Sequence, residues 1–133
     1  MSQKVLVVDP YSKGWDQVRS VLGKEDVSII TASDCEECLI KLQYDKPDLI
    51  LLEAIMPGKS GFEICNIIKH DPKNRNIPVV IFTILDRESD RSLAIDVGAD
   101  GFVCKYHEDV LTLVGQLKHQ LMSSMLSKGC IPV

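Results

Sequence analysis

Four polar side chains stand where four apolar runs of this 133-residue chain end, and their types could support ionic chemistry. They are two carboxylates, a hydroxyl and an ammonium, namely Asp9, Glu53, Thr83 and Lys105. A polar residue at one strand end is commonplace, because the chain is leaving the core there. Four of them at corresponding places favour a crevice in which all four converge. A carboxylate and an ammonium that meet in such a crevice form a favourable pair.

The runs that precede these residues indicate buried strands, because they are continuously apolar and rich in β-branched side chains. Predicted strands cover Lys4–Val8, Val27–Thr31, Asp48–Leu52, Ile77–Thr83 and Gly101–Cys104. Predicted helices alternate with them over 12–23, from a Ser33–Glu36 capping pair to Pro47, and over 61–69, 86–97 and 108–126. Strands that are apolar on both faces need cover on both. The pattern therefore predicts an α/β fold with a doubly wound parallel sheet and helices on each side. Sites in such sheets form at the carboxyl ends of the strands.

The composition is that of one globular domain. Hydrophobic residues make up 45% and charged residues 26% of the chain, and the net charge is −4. This acidic balance argues against broad binding of nucleic acids or membrane surfaces by charge. No secretion signal or membrane-spanning stretch is visible, and five cysteines without disulfide spacing suit a reducing compartment. We expect a cytoplasmic domain over 1–126, followed by a tail or the start of a linker over 127–133.

The order and spacing of four motifs resemble a known family. The motifs are KVLVVD (4–9), PDLILLEAIMPGKSGFEIC (47–65), NIPVVIFT (76–83) and GADGFVCK (98–105). Together they resemble the CheY-like receiver domain of bacterial two-component response regulators, over residues 3 to about 125. The resemblance implies a flavodoxin-like fold with strand order 2-1-3-4-5, and a role in signal transduction and phosphorelay that is not enzymatic.

The resemblance also implies a role for each residue at the strand ends. Position 53 is an aspartate in that family and accepts a phosphoryl group from a histidine kinase. Two acids after the first strand, of which Asp9 would be one, hold Mg²⁺ with it. Thr83 and Lys105 would contact the phosphoryl group, and the aromatic Phe102 would be a switch that reorients on activation. Protein partners, a kinase or a downstream signalling protein, would bind the face formed by the fourth helix, fifth strand and fifth helix.

The chain departs from this pattern at four positions. Pro10 replaces the second acid, Glu53 replaces the acceptor aspartate, Ile84 replaces a small residue, and Tyr106 replaces a proline. Proline offers no carboxylate, and Mg²⁺ demands strict octahedral oxygen ligation. We therefore expect a Mg²⁺ site built on Asp9 and Glu53 to be weak or absent. Ile84 would also crowd the space that a phosphoryl group needs.

The longer side chain of Glu53 has a consequence of its own. One extra methylene moves the carboxylate outward by about 1.5 Å, which spoils the alignment that phosphoryl transfer needs. The same length lets Glu53 reach Lys105 directly. We therefore predict a pseudo-receiver that acts through protein contacts, without phosphorylation. The sequence leaves open whether Glu53 holds the active or the inactive conformation.

Two other functions fit the sequence less well. One is a residual phosphoacceptor that uses Glu53 or Asp9. The other is a binder of nucleotides or other small molecules on the same fold, which an aromatic content of 5% and the lack of a glycine-rich phosphate loop disfavour.

A Cys35-x-x-Cys38 motif lies inside a predicted helix with no second ligand pair nearby, so core packing is favoured over a metal or redox site.

Overall fold

A parallel β-sheet of five strands forms the centre of the computed structural model, which describes residues 3–11, 15, 16, 18–20, 27–105, 115 and 119. The strands are β1 (Gln3–Val8), β2 (Val27–Ala32), β3 (Leu49–Leu52), β4 (Val79–Thr83) and β5 (Gly101–Cys104). Their spatial order is β2-β1-β3-β4-β5. This confirms the predicted doubly wound sheet and its strand order, with strand ends displaced by at most two residues from the predicted ones.

Three helices are bounded within the described residues, and they are numbered here in chain order. They are α1 (Cys35–Asp45), α2 (Gly61–Lys69) and α3 (Glu88–Asp96), which correspond to the second, third and fourth predicted helices. Of the first predicted helix, residues 15, 16 and 18–20 are described and helical; of the fifth, residues 115 and 119. The predicted domain boundary at residue 126 and the tail over 127–133 lie outside the described residues. None of the described helices has the length and apolar character needed to cross a bilayer.

The N-terminus of α1 differs by one residue from the sequence prediction. Asp34, not Ser33, is the N-cap, and its carboxylate accepts a hydrogen bond from the Glu37 backbone N–H at 2.8 Å. The Glu37 carboxylate in turn accepts from the backbone N–H and the hydroxyl of Ser33. The capping pair is therefore shifted along the chain by one residue, because the extended backbone of Asp34 directs its own side chain at the first turn.

Apolar side chains fill both faces of the sheet, which explains why the strands are continuously apolar. In β3, Ile50 and Leu52 belong to a core cluster that also contains buried residues of α1, α2 and α3. Leu49 and Leu51 belong to a second cluster on the opposite face, together with helical Val18 and the half-buried Trp15. Alternate residues of a strand point to opposite faces, so both faces of β3 are covered. Helical residues therefore lie on both sides of the sheet.

Three cysteines are part of this packing, among them Cys38, for which the sequence favoured core packing. Cys38 and Cys65 are fully buried in the cluster that contains Ile50 and Leu52, and Cys104 is fully buried at the end of β5. Burial raises the pKa of the Cys38 thiol to about 12 and that of Cys65 to about 11. Both thiols are therefore protonated at neutral pH, and core packing of Cys38 is confirmed.

Gly61 closes the loop that follows β3. Its N–H donates to the Ala54 carbonyl at 2.8 Å. A Cβ atom at this position would lie 2.8 Å from the Ala54 Cα and would overlap the backbone carbonyl oxygen of Glu53. Because both neighbours are backbone atoms, neither can rotate away. The lack of a side chain at Gly61 is therefore a condition for the observed path of the chain through Glu53.

We expect Gly61→Ala to lower the free energy of unfolding by about 1–3 kcal/mol, the usual cost of overpacking. Urea unfolding of both proteins measures this change. Gly115→Ala is the matched control, since a Cβ at this helical position meets nothing within 4 Å. The control should be neutral or slightly stabilising, because alanine has the higher helix propensity. Equal stability of Gly61→Ala and the parent protein would contradict the close approach at Gly61.

Candidate functional site

The parallel register of the sheet brings the predicted site residues to one edge. Val8 is paired with Leu52, and Thr83 with Cys104, so Asp9, Glu53 and Lys105 each leave the sheet at the same end. Backbone hydrogen bonds continue one step past the strands. The Glu53 N–H donates to Val8 O at 2.9 Å, and the Lys105 N–H donates to Thr83 O at 2.7 Å. The site therefore stands on backbone that is still held by the sheet.

Lys105 lies between the two acids and bonds to both. Its Nζ is 2.8 Å from Asp9 Oδ2 and 3.0 Å from Glu53 Oε1. Asp9 is 2% exposed and Glu53 is 6% exposed, while the Lys105 side chain retains 15%. The acids are thus almost fully withdrawn from water, where an unpaired charge would be costly. The Lys105 ammonium compensates them from the more open side of the pocket.

Backbone N–H groups donate hydrogen bonds to the carboxylate oxygens of Asp9 and Glu53 that do not contact Lys105. The Tyr11 N–H donates to Asp9 Oδ1 at 2.8 Å, and the Ile55 N–H donates to Glu53 Oε2 at 3.0 Å. Each of these bonds spans two residues, so each acid closes the turn that follows its own strand. All four carboxylate oxygens therefore have a donor from the protein. These two bonds fix the orientation of the acids from the side opposite to Lys105.

Burial and hydrogen bonding act in opposite directions on the pKa of Lys105. Burial disfavours the ammonium and by itself would lower its pKa, but the hydrogen bonds to Asp9 and Glu53 outweigh burial. The pKa of Lys105 is therefore raised above its usual value of 10.5. With both acids ionised and Lys105 protonated, the three side chains carry a formal charge of −1.

Thr83 lies at the end of β4 beside this group and is fully buried. Its Oγ1 accepts a hydrogen bond from the Leu85 N–H at 3.3 Å, which makes it part of the turn after β4. Ile84, which follows it, is 41% exposed. The Ile84 side chain therefore reaches solvent, and its crowding of the phosphoryl position stays a prediction.

Two aromatic rings near the site each face a cation. The Lys105 Nζ lies 5.1 Å from the centroid of the Phe82 ring, and the Arg91 guanidinium lies 4.8 Å from the centroid of the Phe102 ring. Phe82 is 3% exposed, whereas Phe102 is half-buried on β5 next to α3. Sequence reasoning named Phe102 but missed the Phe82 ring beside Lys105 and the contact between Arg91 and Phe102. The signal for Phe82 was an aromatic residue directly before Thr83 in a strand.

The match to a family model covers most of the chain. Residues 5–114 match the model of the response regulator receiver domain. This chain belongs to the response regulator receiver family. Its relatives include the response regulator PleD of Caulobacter vibrioides, 39% identical over 84% of this chain, and the alkaline phosphatase synthesis transcriptional regulatory protein PhoP of Bacillus subtilis, 34% identical over 79% of it. The chain spans only 24% of the length of PleD and 43% of that of PhoP.

A solved receiver structure agrees in fold. The chemotaxis response regulator CheY4 of Vibrio cholerae superimposes with a TM-score of 0.81 at 26% identity, covering 90% of this chain and 99% of its own. The receiver fold and the role of the domain in two-component signal transduction, both predicted from the motifs, are therefore confirmed.

We expect Lys105→Met to reduce the receiver's free energy of unfolding at neutral pH by about 3–5 kcal/mol, because two buried carboxylates lose their counter-charge. The contribution of Lys105 is complete below about pH 10.5, its unfolded pKa, since its folded pKa is raised. It is lost as the pH rises through the folded value. The stability difference between parent and variant should therefore shrink above about pH 10.5.

Urea unfolding at a series of pH values measures this difference. The control is Lys59→Met, which removes an exposed lysine and should leave stability almost unchanged at every pH. A Lys105→Met protein as stable as the Lys59→Met protein at neutral pH would show that the ion pairs in the pocket contribute nothing.

Proposed function

We propose that this receiver is a pseudo-receiver, which signals by contact with other proteins and without phosphorylation at Glu53. The observation that carries the proposal is the 3.0 Å bond between Lys105 Nζ and Glu53 Oε1. In the family this lysine contacts the incoming phosphoryl group, and here it is already bonded to the side chain at the acceptor position. A fixed internal carboxylate thus takes the partner that a phosphoryl group would need.

The oxygen atoms that the pocket offers as metal ligands fit a magnesium ion poorly. Mg²⁺ demands near-ideal octahedral oxygen ligation at about 2.0–2.1 Å and keeps several of its waters. Pro10 supplies no side-chain oxygen, and the oxygens of Asp9 and Glu53 already accept from Lys105, Tyr11 and Ile55. Within the described residues, no group of three or more His, Cys, Asp and Glu side chains is placed to hold a metal ion. Mg²⁺ therefore has no part in the function that we propose for this domain.

The contact surface that we propose is centred on α3 and β5. Ile95 is 75% exposed on α3, one helical turn from Arg91, whose guanidinium covers the Phe102 ring of β5. An exposed aliphatic side chain beside a cation suits a protein partner better than a nucleic acid or a membrane surface, given the net charge of −4. A histidine kinase or a downstream signalling protein is the partner class that we propose.

The cellular setting and the lack of catalysis complete the proposal. Cys35, Cys38, Cys65 and Cys104 are all free thiols, which suits a reducing compartment such as the cytoplasm. The lysine of the site is bonded to two internal acids and takes no part in covalent chemistry in this proposal. We accordingly assign the domain a regulatory role and no enzymatic one.

Treatment with acetyl phosphate and Mg²⁺, followed by intact mass, tests the proposal. The parent protein should gain no hydroxylamine-sensitive phosphoryl group at position 53, because the acceptor carboxylate is bonded to Lys105 and the second acid is missing. The matched variant is Pro10→Asp combined with Glu53→Asp, which restores three carboxylates. We expect that variant to gain one phosphoryl group in the presence of Mg²⁺ and to lose it with hydroxylamine.

Two comparisons make the outcome decisive. Glu53→Gln in the parent background shows whether any mass gain depends on that carboxylate, and peptide mapping locates it. A phosphoryl group on Glu53 of the parent protein, absent from Glu53→Gln, would overturn the pseudo-receiver proposal. The double variant shows that the reagent can phosphorylate this fold.

A further inference from the structure

Phe82 is buried directly beneath the ammonium group of Lys105. The ring is 3% exposed and belongs to the core cluster on the face that carries Val18, Val80 and Val103. The Lys105 Nζ lies 5.1 Å from the ring centroid. A cation within about 6 Å of an aromatic face is attracted by the negative potential of the ring, most strongly where water is excluded.

The hydrogen bonds of Lys105 to the two acids leave one side of its ammonium group for the contact with Phe82. An ammonium group has three N–H donors and no acceptor. One is directed at Asp9 Oδ2 and one at Glu53 Oε1, at 2.8 and 3.0 Å. The Phe82 ring lies against the same ammonium, and an aromatic face attracts a cation without competing for the two carboxylates. The cation is therefore enclosed by two acids and a ring.

We propose that Phe82 is a positioning residue, whose ring holds the Lys105 ammonium in the place from which it bridges Asp9 and Glu53. A long lysine side chain loses much rotamer freedom when it is fixed, and two ion pairs must outweigh that loss. The attraction between the ring and the ammonium offsets part of this loss. This inference rests on the proposed pseudo-receiver function, because it explains what keeps Lys105 on Glu53.

The contribution of Phe82 to the core must be separated from its effect on Lys105. Phe82→Leu removes the aromatic face and keeps an apolar side chain at that position. Phe62→Leu is the matched control, because Phe62 is also buried, at 8% exposure, but belongs to the cluster on the other face of the sheet. Both substitutions loosen the core, and only the first removes the ring beneath Lys105. Phe82→Tyr retains the ring and serves as the conservative variant.

The readout is the rate at which the Lys105 ammonium protons exchange with water, measured by NMR on ¹⁵N-labelled protein at one mildly acidic pH. We expect Phe82→Leu to raise this rate about threefold or more, since a typical cation–π contact corresponds to at least a factor of that order. Phe62→Leu should leave the rate unchanged, and Phe82→Tyr should keep it near the parent value. Phe82→Met makes the same comparison if the leucine variant does not fold.

The outcomes are distinct. Equal acceleration by Phe82→Leu and Phe62→Leu would reduce Phe82 to ordinary core packing and overturn the inference, as would no acceleration by either. Phosphorylation of Glu53 in the parent protein would refute the pseudo-receiver proposal whatever the exchange rates are. Slow exchange in the parent with selective acceleration in Phe82→Leu supports the positioning role.

Discussion

The bridge from Lys105 to both acids is the interaction on which the rest of this site depends. Asp9 and Glu53 are almost completely withdrawn from water, and burial of two like charges without a counter-charge would be strongly destabilising. Lys105 reaches them from the far side of β4, at 2.8 and 3.0 Å. The sheet makes this reach feasible, since the parallel register ends β1, β3 and β5 at one edge.

The proposed function implies that substitutions at positions 53 and 10 convert a reaction site into a structural one. The family places an acceptor, a cation site and a lysine together for phosphoryl transfer. Here the Glu53 carboxylate accepts a hydrogen bond from Lys105, and Pro10 stands where the family has an acid that would bind a divalent cation. In our account the fold, the strand order and the α3–β5 surface persist, because they depend on the core and on backbone pairing. The proposed function holds that the transfer chemistry is lost, because that chemistry depends on a few oxygens.

The sequence predicted the sheet and the convergence of the acids, and it missed the contacts that orient them. The run Leu49–Leu52 indicated burial on both faces, and the carboxyl ends of parallel strands must meet at one edge. The backbone donors of Tyr11 and Ile55 have no side-chain signature, since they depend on turn conformations. Phe82 could be predicted only as a core residue, because its place under Lys105 depends on the lysine rotamer.

A crystal structure of the protein soaked with Mg²⁺ and beryllofluoride tests the central claim most directly, because beryllofluoride imitates a phosphoryl group on a carboxylate. The account predicts that Lys105 Nζ stays within hydrogen-bond distance of both Asp9 and Glu53, as it is now at 2.8 and 3.0 Å, with neither ion in the pocket. Beryllofluoride on the Glu53 carboxylate, beside an octahedral Mg²⁺ and contacted by Lys105, would contradict it.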